Sequence, residues 1–221
     1  MAGKPLAAAG RSPAATVAAL NRRSGGTPPR PPRQVSGQTS TGSSPETLPN
    51  GESQLPALRV GCGYDAHQLE VGRRLVLGGV EIDHARGLAG HSDGDVLVHA
   101  IIDALLGAAA LGDIGQHFPS DDASFRDVSS LLLLRRIRSL LAEHHWRPGN
   151  VDATIVAQQP RLAAVLPDMR RCLAEVLVLP LEQVSVKATT TDWLGFTGRE
   201  EGMAALAVAT VVPMVPAVID Q

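Results

Sequence analysis

Residues that commonly bind metal ions are concentrated in two short segments of the sequence. The first is Asp65-Ala66-His67, and the second is His91-Ser92-Asp93-Gly94-Asp95, followed by His99. In an extended strand Asp65 and His67 project to the same side, because side chains alternate with a period of two. Two imidazoles and one carboxylate that converge from a strand and a helix leave one tetrahedral position open, as in catalytic zinc sites. The spacing therefore predicts a three-ligand metal site.

Each of these residues also has a simpler interpretation on its own. A single histidine is often a surface residue or a hydrogen-bonded core residue, and Asp95 could be only a helix cap. The four-residue steps from Asp95 to His99 and Asp103 place these side chains on one helix face. We interpret Asp95 and Asp103 as caps or as groups that orient the histidines. The joint occurrence of the two segments favours the metal site.

A second polar segment, 187–202, has the composition of a phosphate-binding site. Lys187, three consecutive threonines and Arg199 supply cationic, hydroxyl and backbone donors. Two acidic loops, 112–115 and 118–122, add carboxylates that could accept from substrate hydroxyls or hold a hard cation, although Asp-capped turns have the same composition. The sequence contains neither a GxxxxGKS/T loop nor a GxGxxG motif, so it gives no support for nucleotide binding of those kinds.

The composition divides the chain into parts of different character. The 221 residues carry a net charge of −2, which provides no basic field for binding nucleic acid. The sequence contains no apolar run long enough to predict a membrane span. Residues 1–58 hold nine of the 16 prolines, no aromatic residue and no histidine. Such a stretch cannot bury enough apolar surface to fold. We predict a disordered tail over 1–58, a globular domain over 59–213 and a C-terminal tail over 214–221.

The tail has several interpretations that bear on location. Its arginines and serines, and the absence of acidic residues before Glu46, resemble an organelle transit peptide. A solvated tail without targeting meaning, or an overextended start, is equally compatible. We predict a cytoplasmic protein, with the plastid stroma as the alternative if 1–58 is a transit peptide. Cys62 and Cys172 are too few and too isolated for a disulfide framework or a cysteine zinc site.

Hydrophobic periodicity predicts an α+β fold with a mixed β-sheet and helices packed on one face. Residues 59–67 are predicted to begin as a short strand and to end in a polar turn, and 75–82 to form a strand interrupted by two glycines. A helix is expected over 93–110, with Ser92 and Asp95 as a capping box. Further helices are expected at 129–145, ended by Pro148-Gly149, and at 167–178, with strands at 151–157, 183–189 and 203–212.

Four motifs carry a family resemblance that covers essentially all of 59–213 and none of 1–58. They are GYDAH, GLAGHSDGDVLVHAIIDALLGAAALGDIGQHFP, NVDATIVAQQPR and VKATTTDWLGFTGREEG. Together they resemble the 2-C-methyl-D-erythritol 2,4-cyclodiphosphate synthases of the non-mevalonate isoprenoid pathway. The resemblance implies a homotrimeric lyase whose active sites lie between adjacent subunits. In that reaction the 2-phosphate of 4-diphosphocytidyl-2-C-methyl-D-erythritol 2-phosphate attacks the β-phosphorus of the same molecule and releases CMP.

The resemblance also implies roles for individual residues. Asp65, His67 and His99 match the family's zinc ligands, and a second divalent ion, Mg²⁺ or Mn²⁺, would bridge the substrate phosphates. His91 and Thr190 match residues that stabilise the transition state. The positions that match substrate contacts are Asp65, Ala66, His67, His91, Ser92, Asp113, Ile114, Gly115, Phe118, Pro119, Ser120, Asp121, Asp122, Ala157, Gln158, Gln159, Pro160, Arg161, Leu162, Ala163, Thr189, Thr190, Thr191, Asp192, Phe196 and Arg199.

The sequence departs from the family's usual pattern at three of these positions. Ser120 stands where an acid is frequent, Asp192 where glutamate is common, and Arg161 where lysine is frequent. None of the three is a matched zinc ligand. Phe196, Arg199 and Glu201 match positions near the trimer axis, where we expect Arg199 and Glu201 to pair or to bind an anion.

Two other function classes are compatible with the residues alone. A metal-dependent phosphoesterase would use the same cluster to activate water, and it would leave a linear monophosphate rather than a cyclic diphosphate. A non-catalytic oligomerisation or binding module would explain the apolar helices but not the histidines. Product analysis separates the first class from a cyclising enzyme, and the zinc content of dialysed protein separates the second.

Overall fold

The computed structural model describes residues 58–214. The predictions for 1–57 and 215–221 fall outside the described residues. The strands of the described part are β1 (Arg59–Val71), β2 (Leu75–Leu77), β3 (Val80–Ile82), β4 (Arg86–Leu88), β5 (Trp146–Val156), β6 (Val184–Thr189) and β7 (Gly202–Pro213). The α-helices are α1 (Val96–Ala109), α2 (Ile114–His117), α3 (Ser130–Glu143), α4 (Leu166–Leu177) and α5 (Gly195–Gly198).

Five of the strands form one mixed sheet in the order β4-β1-β7-β5-β6. β5 and β6 are parallel, whereas the other neighbouring pairs are antiparallel. β2 and β3 form a separate hairpin that turns at Gly78 and Gly79, both of which have the positive φ that a tight two-residue turn requires. The prediction of a single interrupted strand over 75–82 was therefore wrong, because the two glycines reverse the chain direction. The mixed sheet and its helices confirm the predicted α+β class.

The helices α1, α3 and α4 pack on the sheet, α1 against β1 and β7, α3 against β5, and α4 against β6. α1 is the central helix, since it also packs against α3 and twelve of its fourteen residues are buried. A helix that is apolar all round is typical of a protein core. Within residues 58–214, no helix has the length and hydrophobicity needed to cross a membrane.

The other face of the sheet carries apolar side chains that are exposed in the single chain. Val60 and Tyr64 project there from β1, and Leu206 and Val208 project there from β7. These four side chains are between 40% and 61% exposed. Contiguous exposed apolar surface on a folded protein commonly marks an interaction surface.

β1 corrects the prediction of a short strand that ends in a polar turn. The strand runs unbroken because Arg59–Gln68 pairs with β7 and Leu69–Val71 pairs with β4. Asp65 and His67 alternate with exposed residues and lie on the side that faces α1. The prediction was wrong because inward-facing polar residues give a strand the composition of a turn.

The start of α1 also differs from the prediction. Asp95 is the N-cap, and its carboxylate accepts a hydrogen bond from the Val98 amide at 3.1 Å. Gly94 has a φ of 74°, which no residue inside a right-handed helix adopts, so the helix cannot start at Asp93. The predicted capping box is therefore wrong, and the Ser92 hydroxyl lies instead 3.1 Å from His99 Nε2.

The later elements that were predicted lie close to their predicted positions, with β5 as the exception, and the four-residue helices α2 and α5 were not predicted. α3, α4, β6 and β7 each begin and end within two residues of the prediction. Pro148 and Gly149 do not end a helix but lie inside β5, which begins at Trp146 and bulges between Pro148 and Val151. The three-residue strand β4 was not predicted, because so short a segment has no measurable periodicity.

Candidate metal centre and substrate cavities

Asp65, His67 and His99 converge between β1 and α1. Asp65 Oδ2 lies 2.7 Å from His67 Nε2 and 3.0 Å from His99 Nδ1. The two imidazole nitrogens lie 3.1 Å apart. Within residues 58–214, this is the only group of three His, Cys, Asp or Glu side chains close enough to share a metal ion. The structure therefore brings together the three side chains that the sequence singled out as ligands.

The hydrogen bonds of His67 determine which ring nitrogen faces this cluster. Nδ1 is in close contact with the carbonyl oxygen of Ala89, which can only accept, so Nδ1 carries the proton and donates it. The lone pair of Nε2 therefore points toward Asp65 Oδ2. Two acceptors at this distance require a cation between them, either a proton or a metal ion.

The pKa values of Asp65 and His67 are shifted by the contacts within this cluster. Partial burial acts to raise the pKa of Asp65, but hydrogen bonds and charge from His67 and His99 outweigh burial and hold that pKa well below its usual value. Burial acts to lower the pKa of His67, but the bond to Asp65 and its charge raise it overall. The two directions mean that Asp65 stays anionic and that a positive charge on His67 is stabilised beside it.

The donor set and its spacing fit zinc. Open catalytic zinc sites use imidazole and carboxylate ligands at about 2.0–2.2 Å, which in tetrahedral geometry lie roughly 3.3–3.5 Å from one another. The observed separations of 2.7, 3.0 and 3.1 Å are slightly shorter. A small outward movement of Asp65, His67 and His99 would accommodate the ion and leave its fourth position open.

The loop that carries His91 and Ser92 is held through its backbone. Arg73 Nη2 donates to the carbonyl oxygens of Gly90 and Ser92, at 3.2 and 3.1 Å. The Asp127 amide donates to the carbonyl oxygen of His91 at 2.9 Å. Three consecutive carbonyl groups are thereby fixed. Sequence reasoning missed Arg73, because nothing in its local sequence distinguishes it from a solvent-exposed arginine.

A cavity of about 260 Å³ adjoins the metal centre, and we call it the metal cavity. The predicted site residues that line it are Asp65, His67, His91, Ser92, His99, Ile114, Gly115, Phe118 and Ser120. Phe125 and Leu133 line it as well and were not predicted. A wall of apolar side chains opposite a cation site suits a ligand that joins a phosphate to a carbon skeleton.

A second cavity, of about 230 Å³, lies where β5 and β6 end, and we call it the loop cavity. The predicted site residues that line it are Ala157, Gln158, Pro160, Arg161, Leu162, Ala163, Thr189 and Thr190. Leu166 and Ala188 were not predicted. The two cavities have no residue in common, so one chain does not bring Thr190 and His91 into the same cavity.

A third cavity, of about 620 Å³, is lined by the predicted residues Ala66, His67, Phe196 and Arg199. Arg199 Nε and Nη2 donate to the two carboxylate oxygens of Glu201 at 2.8 and 3.0 Å, which is the expected pairing of these side chains. Both side chains are more than half exposed. The predicted residues thus lie around three cavities of one chain, and His67 lines both the metal cavity and the third cavity.

The remaining predicted residues line none of these cavities: Asp113, Pro119, Asp121, Asp122, Gln159, Thr191 and Asp192. The acidic loops are capped turns in the structure, since Asp113 accepts from the Gln116 amide at 3.0 Å and Asp122 accepts from the Ser124 amide at 2.9 Å. Lys187, considered above as a phosphate donor, is paired with Asp152 at 2.5 and 2.6 Å.

Asp95 and Asp103 do not orient the histidines by hydrogen bonds. Besides capping α1, Asp95 accepts from the amides of Gly78 and Gly79 at 2.9 and 2.7 Å. Asp103 accepts from the Ile114 amide at 2.8 Å. Of the two interpretations, capping is confirmed for Asp95, and neither carboxylate is hydrogen-bonded to a histidine.

The fold and site define an α+β protein with an open three-ligand centre beside small-molecule cavities. The chain matches the YgbB family over residues 58–212, which include the whole metal cavity and the whole loop cavity. The chain therefore belongs to the YgbB family. Relatives named as cyclodiphosphate synthases support the more specific resemblance that the four motifs carry.

A protein of Syntrophomonas wolfei named 2-C-methyl-D-erythritol 2,4-cyclodiphosphate synthase is 61% identical over 154 residues, which are 70% of this chain and 98% of that protein. A Plasmodium falciparum IspF structure in complex with CDP is 32% identical, with a TM-score of 0.63, over 73% of this chain and 100% of that one. The bifunctional IspDF of Campylobacter jejuni is 40% identical, with a TM-score of 0.69, and the match covers 72% of this chain but only 43% of IspDF.

Proposed function

We propose that the chain is a 2-C-methyl-D-erythritol 2,4-cyclodiphosphate synthase of the non-mevalonate isoprenoid pathway. It converts 4-diphosphocytidyl-2-C-methyl-D-erythritol 2-phosphate to 2-C-methyl-D-erythritol 2,4-cyclodiphosphate and releases CMP. The observation that carries the proposal is the convergence of Asp65, His67 and His99 beside a cavity that contains His91, within the range that matches the YgbB family. The named relative at 61% identity supports it.

The reaction is an intramolecular phosphoryl transfer. An oxygen of the 2-phosphate forms a bond to the β-phosphorus, and the bond between that phosphorus and the oxygen bridging to the α-phosphate breaks. CMP leaves with the bridging oxygen and its electron pair. Such a transfer needs in-line positioning and charge neutralisation rather than covalent help from the protein.

The residues of the metal cavity suit the reacting half of the substrate. Asp65, His67 and His99 would hold a zinc ion, which would supply Lewis acidity at this site. His91 and Ser92 bind the attacking 2-phosphate, and the bonds from Arg73 keep their loop in place. The apolar wall of the cavity excludes water, which would otherwise compete with the 2-phosphate as nucleophile.

The loop cavity suits the cytidine half. The CDP complex of the Plasmodium falciparum structure supports a cytidine-diphosphate-linked substrate for this chain as well. Residues 157–163 contact the nucleoside, and Thr189 and Thr190 donate hydroxyl hydrogen bonds to the diphosphate. A second divalent cation, Mg²⁺ or Mn²⁺, would bind with the substrate phosphates and would neutralise part of their charge.

We propose a homotrimer in which neighbouring copies complete each site. The metal cavity and the loop cavity have no residue in common within one chain, although one substrate must occupy both kinds of cavity. The exposed apolar sheet face, with Tyr64 and Leu206, supplies a surface for packing between copies. Under this arrangement the Arg199–Glu201 pairs lie near the three-fold axis.

Product analysis tests the function directly. The protein is incubated with the cytidylyl substrate, Zn²⁺ and Mg²⁺, and CMP and the phosphorylated erythritol product are measured together. We expect equimolar CMP and the cyclic diphosphate. A linear monophosphate would indicate the phosphoesterase, and protein that holds no zinc after dialysis and releases no CMP would indicate a binding module.

The proposed location is the cytoplasm, and bacterial relatives such as the Syntrophomonas wolfei protein support it. A plastid location remains the alternative if 1–58 is a transit peptide. Cleavage before Arg59 in cells would favour the plastid, whereas recovery of the full-length chain from the cytoplasmic fraction would favour the first location.

A further inference from the structure

We propose that Asp93 and Ser130 form a hydrogen-bonded relay that fixes the tautomer and the orientation of His99. Both are positioning residues, because they act through His99 and not on substrate. The inference rests on the metal site of the proposed function. It adds a carboxylate and a hydroxyl that sequence reasoning did not connect with that site.

The relay runs from the start of α3 to the first turn of α1. Ser130 Oγ lies 3.0 Å from His99 Nε2 and 2.5 Å from Asp93 Oδ1. The second oxygen of the same carboxylate accepts from the Ser130 amide at 3.0 Å. Asp93 therefore bonds to Ser130 twice, and Ser130 bonds to the ring of His99 on the side away from the cluster.

The proton positions along this relay follow from which groups can donate. The Asp93 carboxylate only accepts, so the single hydroxyl proton of Ser130 lies in the short bond to Asp93. Ser130 Oγ can then only accept from His99, and the proton of the neutral imidazole must be on Nε2. Nδ1 is left with a free lone pair, and it is the nitrogen that faces Asp65 and His67.

The burial of Ser130 and His99 makes the loss of a hydrogen-bond partner in the relay costly. Ser130 is fully buried and His99 is 8% exposed, so bulk water does not replace a lost partner at low cost. The other neighbour of Nε2 is the Ser92 hydroxyl at 3.1 Å, whose proton is not committed to a carboxylate and which can donate or accept. On the Nε2 side of the ring, only the Asp93–Ser130 pair therefore selects one tautomer, and it is opposed on the Nδ1 side by the Asp65 carboxylate at 3.0 Å when no metal ion is bound.

Asp93 is itself held in place by the backbone. Its carboxylate accepts from the Asp95 amide at 3.3 Å and lies at the amino-terminal end of α3, where a negative charge is stabilised by the helix dipole. The Asp93 amide donates to the carbonyl oxygen of Val128 at 3.2 Å. The relay thus connects the position of α3 with the position of a metal ligand on α1.

Ser130→Ala is the principal test variant, and Ser129→Ala is its matched control. Ser129 precedes Ser130 and makes no capping bond with its side chain. Loss of an outer hydrogen-bond partner of a metal-binding histidine typically weakens metal binding by about 10–100-fold. We expect that loss in zinc affinity for Ser130→Ala and Asp93→Asn, measured by competition with a fluorescent chelator, and unchanged affinity for Ser129→Ala.

The tautomer is measured separately in the full-length Asp65→Ala variant, which lacks the carboxylate that competes for a proton on Nδ1. A long-range proton–nitrogen correlation spectrum of this metal-free variant, at a pH where its histidines are neutral, should have the His99 proton on Nε2. In the zinc-loaded protein the Nε2 proton should exchange slowly, and in Ser130→Ala it should exchange faster with the fold retained.

A His99 proton on Nδ1 in the metal-free Asp65→Ala variant would overturn the relay. Wild-type zinc affinity together with slow Nε2 exchange in Ser130→Ala would overturn it as well. If the wild-type protein bound no zinc, the metal site of the proposed function would fail. The tautomer measurement would then still decide whether the hydrogen-bond relay exists.

Discussion

A β-carbon added to Gly63 would lie 2.1 Å from the carbonyl oxygen of Ala100. That distance is far below van der Waals contact, so β1 and α1 are in backbone contact at this position. Ala100 follows the metal-binding His99, and Gly63 precedes Asp65 by two residues along β1. The depth at which α1 packs on β1 therefore determines the distance between the ligands on the two elements.

Gly63→Ala should disrupt both stability and metal binding. The new methyl group meets backbone atoms of α1, which cannot move away as a side chain can. Overpacking of this kind costs about 1–3 kcal/mol or more, and the shift of α1 moves His99 away from Asp65. Thermal unfolding and zinc titration measure the two effects.

The matched control for Gly63→Ala is Gly107→Ala, because Gly107 lies on α1, the helix that Gly63 contacts. A β-carbon there has Cys62 O, at 4.0 Å, as its nearest contact, and alanine in place of glycine stabilises a helix by about 0.5–1 kcal/mol. We expect a higher melting temperature and unchanged zinc affinity. Equal zinc affinity in both variants would contradict the link between helix depth and ligand spacing.

Asp65→Asn should lose zinc and turnover together. The amide replaces the one anionic ligand, so the loss of affinity should exceed the roughly 10–100-fold that follows from loss of an outer partner. Asp103→Asn is the control, because Asp103 lies on the same helix as His99 but bonds only to the Ile114 amide. Metal analysis after dialysis and CMP release are the measurements. Normal zinc content and cyclisation in Asp65→Asn would refute the ligand assignment.

Asp95→Asn should destabilise the fold. The carboxylate accepts from three amides, those of Gly78, Gly79 and Val98, and an asparagine side chain has only one acceptor oxygen. Its amide group would face the Gly79 N–H, which leaves a buried donor unpaired at a cost of about 1–3 kcal/mol. Denaturant unfolding measures this cost.

The control for Asp95→Asn is Asp122→Asn, an exposed cap at which asparagine serves almost as well as aspartate. We expect its unfolding free energy to stay close to that of the wild type. A change of equal size in both variants would mean that burial of Asp95 is not the cause of the loss.

Arg199→Glu should weaken assembly and activity together. It breaks the pair with Glu201 and puts two negative charges close together, which in the proposed trimer would repeat around the axis. The sedimentation coefficient and the rate of CMP release should decrease in parallel. Arg171→Glu, which breaks an exposed pair with Asp168 on α4, should change neither. A fully active monomer of Arg199→Glu would exclude both the trimer and the shared sites.

A chain that starts at Leu58 should retain the full rate of CMP release. The YgbB match begins at residue 58, and every candidate site residue follows it. Residues 1–57 have the composition of a segment that does not fold by itself. Enzyme assays and sedimentation of the two chain lengths are compared directly. A shortened chain that folds and assembles but releases no CMP would assign the amino-terminal segment a role in chemistry.

The sequence predicted the elements whose periodicity extends over several turns or alternations. In α3 the buried residues Leu133, Leu134, Ile137 and Leu141 recur at helical spacing, and both ends were placed within two residues. Asp65 and His67 were recognised because one strand gives them a fixed relationship. Short elements such as β4, and turns such as Ser92–Asp95, depend on contacts with distant segments, which local pattern does not reveal.

The relay partner of His99 illustrates why the rest of the site was not predicted. Ser130 is 31 positions from His99 and is followed by four leucines, so its sequence context is that of a core helix. Its role depends on how α3 crosses α1, which is a property of packing. The separation of the predicted substrate residues into distinct cavities likewise depends on the three-dimensional arrangement of loops that are far apart in sequence.

The proposed metal ligands are supplied by two elements that meet only in the folded chain, since Asp65 and His67 lie on β1 and His99 lies on α1. An unfolded chain presents no such preformed set, so the proposed zinc ion would bind the native state much more tightly, and its binding would be thermodynamically linked to folding. Free zinc at 100 times its dissociation constant would add about 2.7 kcal/mol to the stability of the fold. The fraction of folded protein in a cell would then depend on zinc supply, and starvation for the metal would reduce the amount of protein as well as its activity.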